Sequence, residues 1–583
     1  MAQNCWQQLQ IGHRQRYSVE RMLALRDYCE NTSLLRVLFV CLATPLPAFA
    51  AVVLIECIPL TSPAEGWRAN YAFWIRLFLS SFPMAVGGAL QVKQVIPPGI
   101  ISYKATVAIG IATATGYVSC ALALAVLWTF PVPFGYALMV GPFVTFFMAS
   151  FCVAVRRKVC SKDVRHQITP QLSVLAAQGV LAGCYPAFYA VFRQLTGLQQ
   201  TAFVLVLPMI KLLSKQYIAK VCSHLHEYIG PTIIFSVDVC NVLYSVICMQ
   251  TAVSSLTTIF MFTSDAFHIV LALRAIYFQI NSGGGSSIRA RRMNFLQTLP
   301  VIVRKAFQSV EVLDDDPSKS IRIWAPFSLP LGADSNQLMT ELSFATVVMI
   351  APPTVASPAS SMRRGSSLPN IRYPTSDSAV DSDQKQKVDA EVRLHHTMFQ
   401  NGLKVKSLPA LRPVKVRIAS RSLSVTAIST KGVTPSLILN PLRIKTAVEE
   451  ARDALQALFH AEYVIMAEYV EGALPMLYTV YLAVLCHLPM AAYYPHMRSL
   501  VGDKLYSTLG NLVLYGLVEV ASLVGVSLLL KRKFGFSPLY QLAFVLETQA
   551  RALQSQLFIW VLCIVQLTLV HNGECKARTF WME

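Results

Sequence analysis

Three carboxylate residues near the centres of long apolar runs are the residues of this sequence best suited to chemistry. Asp238, Asp265 and Glu519 each interrupt a run of about twenty apolar residues, the length that crosses a bilayer as a helix. A carboxylate is costly to ionise in hydrocarbon, so such residues face the interior of a bundle and are paired or neutral. Their type favours a site for an ion, a proton or a polar substrate.

Each of these acids has a polar neighbour at helical spacing, as Glu519 has in Tyr515 and Ser522. Asn241 lies three residues after Asp238, and His268 lies three residues after Asp265, so each pair shares one helix face. A candidate intramembrane polar site is formed by Asp238, Asn241, Asp265, His268 and Glu519. The alternative is that these side chains make hydrogen bonds between helices that only fix the packing.

Motifs for catalysis and metal binding are absent from the sequence. It has no H-E-x-x-H, P-loop or G-x-S-x-G pattern. Its 14 cysteines stand singly, without the spacing of a zinc site. We therefore predict no catalytic residue, no metal and no cofactor, and we do not expect an enzyme. An enzyme that acts on lipid ranks third among the functions considered.

The composition is that of a membrane protein. Of 583 residues, 54% are hydrophobic and only 14% are charged, too few to wet the surface of a soluble domain of this length. The net charge is +19, and the basic residues collect beside the apolar runs. Such clusters bind the anionic headgroups of the cytoplasmic leaflet, which argues against nucleic acid as a partner. The clusters predicted to contact anionic lipid are Arg156, Arg157, Lys158, Lys531, Arg532 and Lys533.

The apolar runs predict an all-α fold, a polytopic membrane bundle of about 11 transmembrane helices with a long disordered cytoplasmic loop. An eight-span block covers residues 34–277, with spans at 35–55, 71–90, 105–128, 136–155, 172–192, 202–218, 230–249 and 253–276. A three-span block covers residues 473–571, with spans at 474–494, 509–530 and 557–570. Lys211 and Lys215 in the sixth span are four residues apart, and we expect both to snorkel to the interface.

The remaining segments are polar. Residues 1–33 form an N-terminal tail, 278–444 a largely disordered loop, 445–472 an amphipathic helix and 572–583 a C-terminal tail. The apolar stretch 344–350 within the loop suits a strand or a segment docked on the membrane domain. Thr446 and Glu449 fit a capping box at the start of the amphipathic helix. The loop is a possible binding region for cytoplasmic partners.

If the N-terminus is cytoplasmic, most Lys and Arg residues of the short loops also lie on the cytoplasmic side of the membrane. The positive-inside rule therefore predicts that the N-terminus and the long loop are cytoplasmic and that the C-terminus is outside. The expected location is an integral, multi-pass position in a membrane.

Three blocks of the sequence resemble a large oomycete family of uncharacterised multi-pass transmembrane proteins. The first block contains Tyr17-Ser-Val-Glu-Arg21, Thr44-Pro-Leu-Pro47, Ile58-Pro-Leu60 and Asn70-Tyr-Ala-Phe-Trp74. The second contains Leu243-Tyr244, Cys248-Met-Gln250, Asp265 and Leu273-Arg274, and the third runs from Gln541 to Gly573. The resemblance implies a family, and it implies no activity.

The leading functional hypothesis is a transporter or channel-like protein for a small solute or ion. The alternative is a membrane receptor or signalling scaffold that acts through its cytoplasmic loop. A transporter requires a cavity inside the bundle, whereas a receptor requires a ligand site that is coupled to the loop.

Overall fold

The structure is a computed structural model. It describes residues 15–96, 99–155, 162–195, 197–251, 295–307, 321–327, 329–350, 441–498, 500 and 502–573, with single residues between 259 and 274. In 162–167, 344–350 and 441–447 only the backbone is described. Throughout these residues the regular structure is helical and contains no strand, which confirms the all-α class.

The first block begins with an N-terminal helix, and helices of ten or more residues are numbered in chain order. They are α1 (Val19–Asn31), α2 (Leu34–Ala43), α3 (Leu46–Glu56), α4 (Tyr71–Val95), α5 (Tyr103–Leu127), α6 (Gly135–Val155), α7 (Lys162–Gln194), α8 (Val206–Val221) and α9 (Val239–Thr251). Shorter helical segments are Pro63–Glu65, Gly66–Ala69, Leu198–Val204, Ser223–Tyr228, Ile229–Ile233 and Ile234–Asp238.

The second half contains the longest helix of the described chain. Its numbered helices are α10 (Phe295–Phe307), α11 (Ala333–Ile350), α12 (Pro441–Leu485), α13 (Asp503–Phe534), α14 (Pro538–Thr548) and α15 (Ala550–Leu567). Its shorter segments are Pro489–Tyr493, Pro495–Arg498 and Val570–Asn572.

Nine helical segments in the described residues are long and apolar enough to cross a membrane, so the chain is an integral multi-pass membrane protein. They match the predicted spans one to seven, ten and eleven. The eighth predicted span lies almost wholly outside the described residues. The ninth, predicted at 474–494, is not among the nine, because α12 ends at Leu485 and contains only its first part. Helix α12 also starts at Pro441, before the predicted capping box.

Local sequence explains several helix boundaries. Ser18, Ser33 and Ser102 precede α1, α2 and α5, and each side-chain oxygen accepts a hydrogen bond from a backbone amide in the first turn. The first span divides at Thr44 and Pro45, because proline has no amide hydrogen to donate within a helix. Gly535 ends α13 in the left-handed conformation, at φ 77°.

The segment Ser223–Thr251 is the centre of the bundle. Its apolar window is 89% buried, whereas the window in Gly135–Val155 is only 22% buried. Within this segment α9 packs against α7, α12 and α15. A spanning helix enclosed on all sides has almost no lipid-facing surface, so the polar residues of this segment face other helices.

The part of the predicted loop that the structure describes contains two packed helices. Helices α10 and α11 contact α1, and α10 also packs along α12. The carboxylate of Glu20 on α1 accepts hydrogen bonds from the amides of Ala325 and Leu329. Residues 344–350 belong to helix α11, so the strand interpretation of that stretch is wrong. This short stretch is almost wholly apolar, so its pattern cannot separate a strand from a helix.

Candidate functional site

A π-helical turn interrupts the central segment at Ile234–Asp238, and all five of its residues are buried. Such turns are rare and are frequent at functional sites, because the extra residue redirects side chains. Ser236 and Asp238 are two residues apart, so they do not share a face. Each meets a different set of neighbours, and these two sets define the candidate site.

Ser236 lies in a buried network of neutral hydrogen-bonding groups, which we call the amide plug (Gln178, Ser236, Gln556 and Trp560). The Gln178 amide donates to Ser236 Oγ at 3.1 Å and to Gln556 Oε1 at 3.2 Å. That same Gln556 oxygen accepts from Ser236 Oγ at 3.0 Å and from Trp560 Nε1 at 3.2 Å. The plug therefore joins α7, the π-turn and α15.

An open cleft lies on one side of the plug, between α4, α5, α6, α7 and α15. Its volume is about 960 Å³, the open mouth included. Because many of its walls are aromatic, we call it the aromatic cleft. These walls include Tyr117, Tyr136, Phe143, Phe147 and Trp560. Gln178 of the plug also lines it.

A second cavity lies on the other side of the plug, and we call it the amide cavity. Its volume is about 430 Å³, and its polar walls are mainly carboxamides, namely Gln91, Gln94, Gln171, Gln549 and Gln556. Along α15 it is lined by residues up to Gln556, whereas the aromatic cleft is lined from Ile559 onward. The two cavities thus follow one another along the bundle with the plug between them.

No charged side chain lines the aromatic cleft or the amide cavity within the described part of the chain. Moving a charge out of water into such a space is costly unless a partner compensates it. The hydrogen-bonding groups present are mainly hydroxyls and carboxamides, which both donate and accept, together with the indole N–H of Trp560 and the thiol of Cys563. The chemistry of the walls therefore favours an uncharged solute.

Asp238 is in a separate, charged network on the other face of the π-turn. Its Oδ1 lies 2.8 Å from Lys215 Nζ and 3.9 Å from Lys211 Nζ. Lys211 Nζ is also 2.6 Å from Glu471 Oε1 on α12. The predicted snorkelling of Lys211 and Lys215 is wrong, because carboxylates on neighbouring helices hold both ammonium groups inside the bundle.

Only part of the predicted polar site falls within the described residues. Asp238 and Asn241 are buried in the central segment, and Glu519 is buried on α13. The backbone of Glu519 lies beside Gly472, so α13 crosses α12 next to Glu471. Asp265 and His268 lie outside the described residues, so their proximity to Asp238 stays a prediction.

The predicted lipid-binding clusters have different outcomes. Lys531, Arg532 and Lys533 form the exposed last turn of α13, where cations also suit the helix dipole. Arg156, Arg157 and Lys158 lie outside the described residues.

A second charged network holds the N-terminal helix. Arg21 Nη2 lies 2.9 Å from both carboxylate oxygens of Glu462, and its Nη1 lies 3.8 Å from Glu227. The Tyr17 hydroxyl also donates to Glu462. Burial alone would lower the pKa of Arg21, but Glu462, Tyr17 and Glu227 outweigh burial and raise it. Residues 17–25 are thus a buried part of the fold.

Sequence reasoning missed most of this site. No sequence signal marks Gln178, Ser236, Gln556 and Trp560 as partners of one another. Lys211 and Lys215 could have indicated part of the site, because two cations on one face of a membrane-spanning run predict carboxylate partners inside the bundle. No family model, no curated protein and no solved structure matches this chain.

Proposed function

We propose that this chain is a membrane transporter for small uncharged solutes. The observation that carries the proposal is the neutral plug between two cavities whose described walls contain no charge. A solute that exchanges hydrogen bonds with carboxamides and hydroxyls can replace those of the plug one by one. The charged network of Asp238 and Lys215 then serves as a fixed support of the π-turn beside the path.

The N-terminus and the long loop are placed in the cytoplasm in this proposal, as the positive-inside rule predicts. The exposed cluster at the end of α13 would then face anionic headgroups of the inner leaflet. The amide cavity, lined near the start of α15, would open toward the cytoplasm, and the aromatic cleft toward the outer half of the membrane.

Uptake into proteoliposomes tests the proposal with two solutes that differ only in charge. Phenyl β-D-glucoside is neutral, whereas phenyl β-D-glucuronide carries a carboxylate of nearly the same size. We expect the protein to accelerate entry of the glucoside at least about tenfold over that of the glucuronide, because the walls cannot compensate a charge. Equal acceleration of both would contradict a neutral path, and no acceleration of either over empty liposomes would contradict transport.

One observation favours a receptor as the second candidate. The loop segment that contains Ala325 and Leu329 is bonded to Glu20, directly beside Arg21 of the N-terminal network. Ligand binding in the bundle could therefore change the exposure of the loop. A receptor would show ligand-dependent hydrogen exchange in residues 321–350 with no solute flux, whereas a transporter shows flux.

A further inference from the structure

One side chain in the aromatic cleft has an unused hydrogen bond donor. Gln566 on α15 is buried, and its Nε2 has no hydrogen bond partner among the described residues. The same side chain lines the cleft. A buried amide donor without a partner loses its hydration without compensation, which destabilises the empty site. An oxygen acceptor supplied by a ligand would remove that loss.

Two other polar side chains near this end of the cleft already have partners. The Tyr136 hydroxyl donates to Cys563 Sγ at 2.6 Å, and the Asn572 amide donates to the backbone oxygen of Gln566 at 2.7 Å. The second of these bonds fixes the backbone beside the Gln566 side chain. Gln566 is therefore held in place at the wall of the cleft, with a buried N–H group that has no partner among the described residues.

The walls of the cleft indicate what that molecule is. Aromatic rings from α5, α6 and α15 are interleaved with the thioethers of Met84, Met139 and Met148. Thioether sulfurs and aromatic edges both contact aromatic rings favourably. The walls of the cleft therefore suit an aromatic ring.

We propose that the aromatic cleft binds an uncharged aromatic compound whose oxygen accepts a hydrogen bond from Gln566 Nε2. The assignment rests on the proposed function, because the cleft is one half of the proposed path, and it names the class of solute. The ring lies among the aromatic and methionine side chains. The acceptor is a hydroxyl, ether or carbonyl oxygen, since no described charge in the cleft would offset an ionised group.

Binding of 4-bromophenyl β-D-glucoside to the purified full chain in nanodiscs tests the assignment. Bromine in contact with an indole quenches its fluorescence, and Trp560 lines the cleft. The chain has seven tryptophans, so the Trp560→Phe variant supplies the background from the others. We expect saturable quenching that depends on Trp560. The corresponding glucuronide should bind at least about tenfold more weakly because its carboxylate would be desolvated.

Two substitutions test the role of Gln566. Gln566→Met keeps the shape and removes the donor, and it should weaken glucoside binding roughly threefold to tenfold, the value of one hydrogen bond. The matched control is Gln554→Met on the same helix, whose amide bonds to the backbone oxygen of Thr44 away from the cleft. It should leave binding unchanged. If Gln566→Met does not fold, Ala182→Leu fills the cleft and should abolish binding.

The outcomes test this assignment and the proposed transport function separately. Glucoside binding that is unaffected by a folded Gln566→Met variant, or by Ala182→Leu where Gln566→Met does not fold, overturns the assignment even if glucoside uptake is observed. Binding of the glucuronide with equal affinity overturns it as well. Saturable, Gln566-dependent binding without uptake supports the assignment and contradicts transport. Quenching that never saturates, or that persists in Trp560→Phe, reports partition into lipid and overturns the assignment.

Discussion

For Asp238 the sequence predicts the burial and the pairing of the carboxylate, but not its partner. Its position in an apolar run predicts a buried, paired carboxylate, and the structure places it 2.8 Å from Lys215 Nζ. The partner could not be derived, because it depends on which face of α8 meets the π-turn. The pairing gives the acid a structural explanation that needs no bound ion.

Replacing Asp238 with asparagine should therefore destabilise the protein. Lys215, whose side chain is 18% exposed, would lose its carboxylate, and breaking a largely buried pair from one side costs up to about 3–5 kcal/mol of the free energy of unfolding. The double variant Asp238→Asn with Lys215→Met removes both charges and should recover most of that loss. Unfolding in a denaturing-detergent titration measures both. A double variant that is no more stable than the single one would contradict the pairing.

His571 gives a stability prediction that depends on pH. Its Nε2 lies 2.9 Å from the backbone oxygen of Thr61, and burial lowers its pKa from about 6.5 to about 4, with nearby Arg76 acting in the same direction. The folded state thus binds this proton less readily than the unfolded state. The neutral His571 side chain therefore contributes fully to the free energy of unfolding above pH 6.5. That contribution is lost as the pH falls toward 4, by about 3 kcal/mol in total.

The variant His571→Gln should remove that pH dependence while keeping an N–H donor for Thr61. The free energy of unfolding of the wild type, measured between pH 7.5 and 4, should fall more steeply than that of the variant. His496 is also buried, and burial lowers its pKa to about 3. It contributes equally to the pH dependence of unfolding in both proteins. Parallel curves for the two proteins would show that His571 is not the titrating group.

At the scale of elements, the π-turn is the feature that the pattern of apolar residues does not predict. A π-turn differs from an α-turn by one residue, so both bury the same apolar run and periodicity cannot separate them. By contrast, the boundaries of α4, α5 and α6 agree with the predicted spans within a few residues, because length and hydropathy determine them. The long helix α12 was predicted as two pieces because its acidic residues resemble a surface helix.

Helix α1 offers a test of an element held by one buried cation. In Arg21→Met, Glu462 and Glu227 lose their buried partner, so residues 17–31 should lose protection from hydrogen exchange. Arg36→Met is the matched control, since the side chain of Arg36 is 59% exposed where it contacts Glu547. It should change protection little. Equal protection of residues 17–31 in both variants would show that Arg21 does not hold the helix.

For the whole molecule, hydropathy alone predicts the class and nearly all the described spans, whereas the cavities depend on which helices meet. The direction of insertion is a separate prediction from the basic loops. A glycosylation reporter inserted near Pro63 or after Gly573 should be modified in microsomes, and one near Ser366 should not. Modification at Ser366 would reverse the proposed orientation and exchange the sides to which the two cavities open.

The amide plug is the feature on which the proposed path depends, and its removal is the most direct test. Gln178 donates to both Ser236 and Gln556, so Gln178→Ala removes two of the bonds that close the plug. We expect efflux of phenyl β-D-glucoside from proteoliposomes to rise at least about threefold, as loss of one or more net hydrogen bonds implies. Gln554→Ala, away from the plug, is the matched control and should leave the rate unchanged. A rate in Gln178→Ala equal to that of the control would contradict a path through the plug.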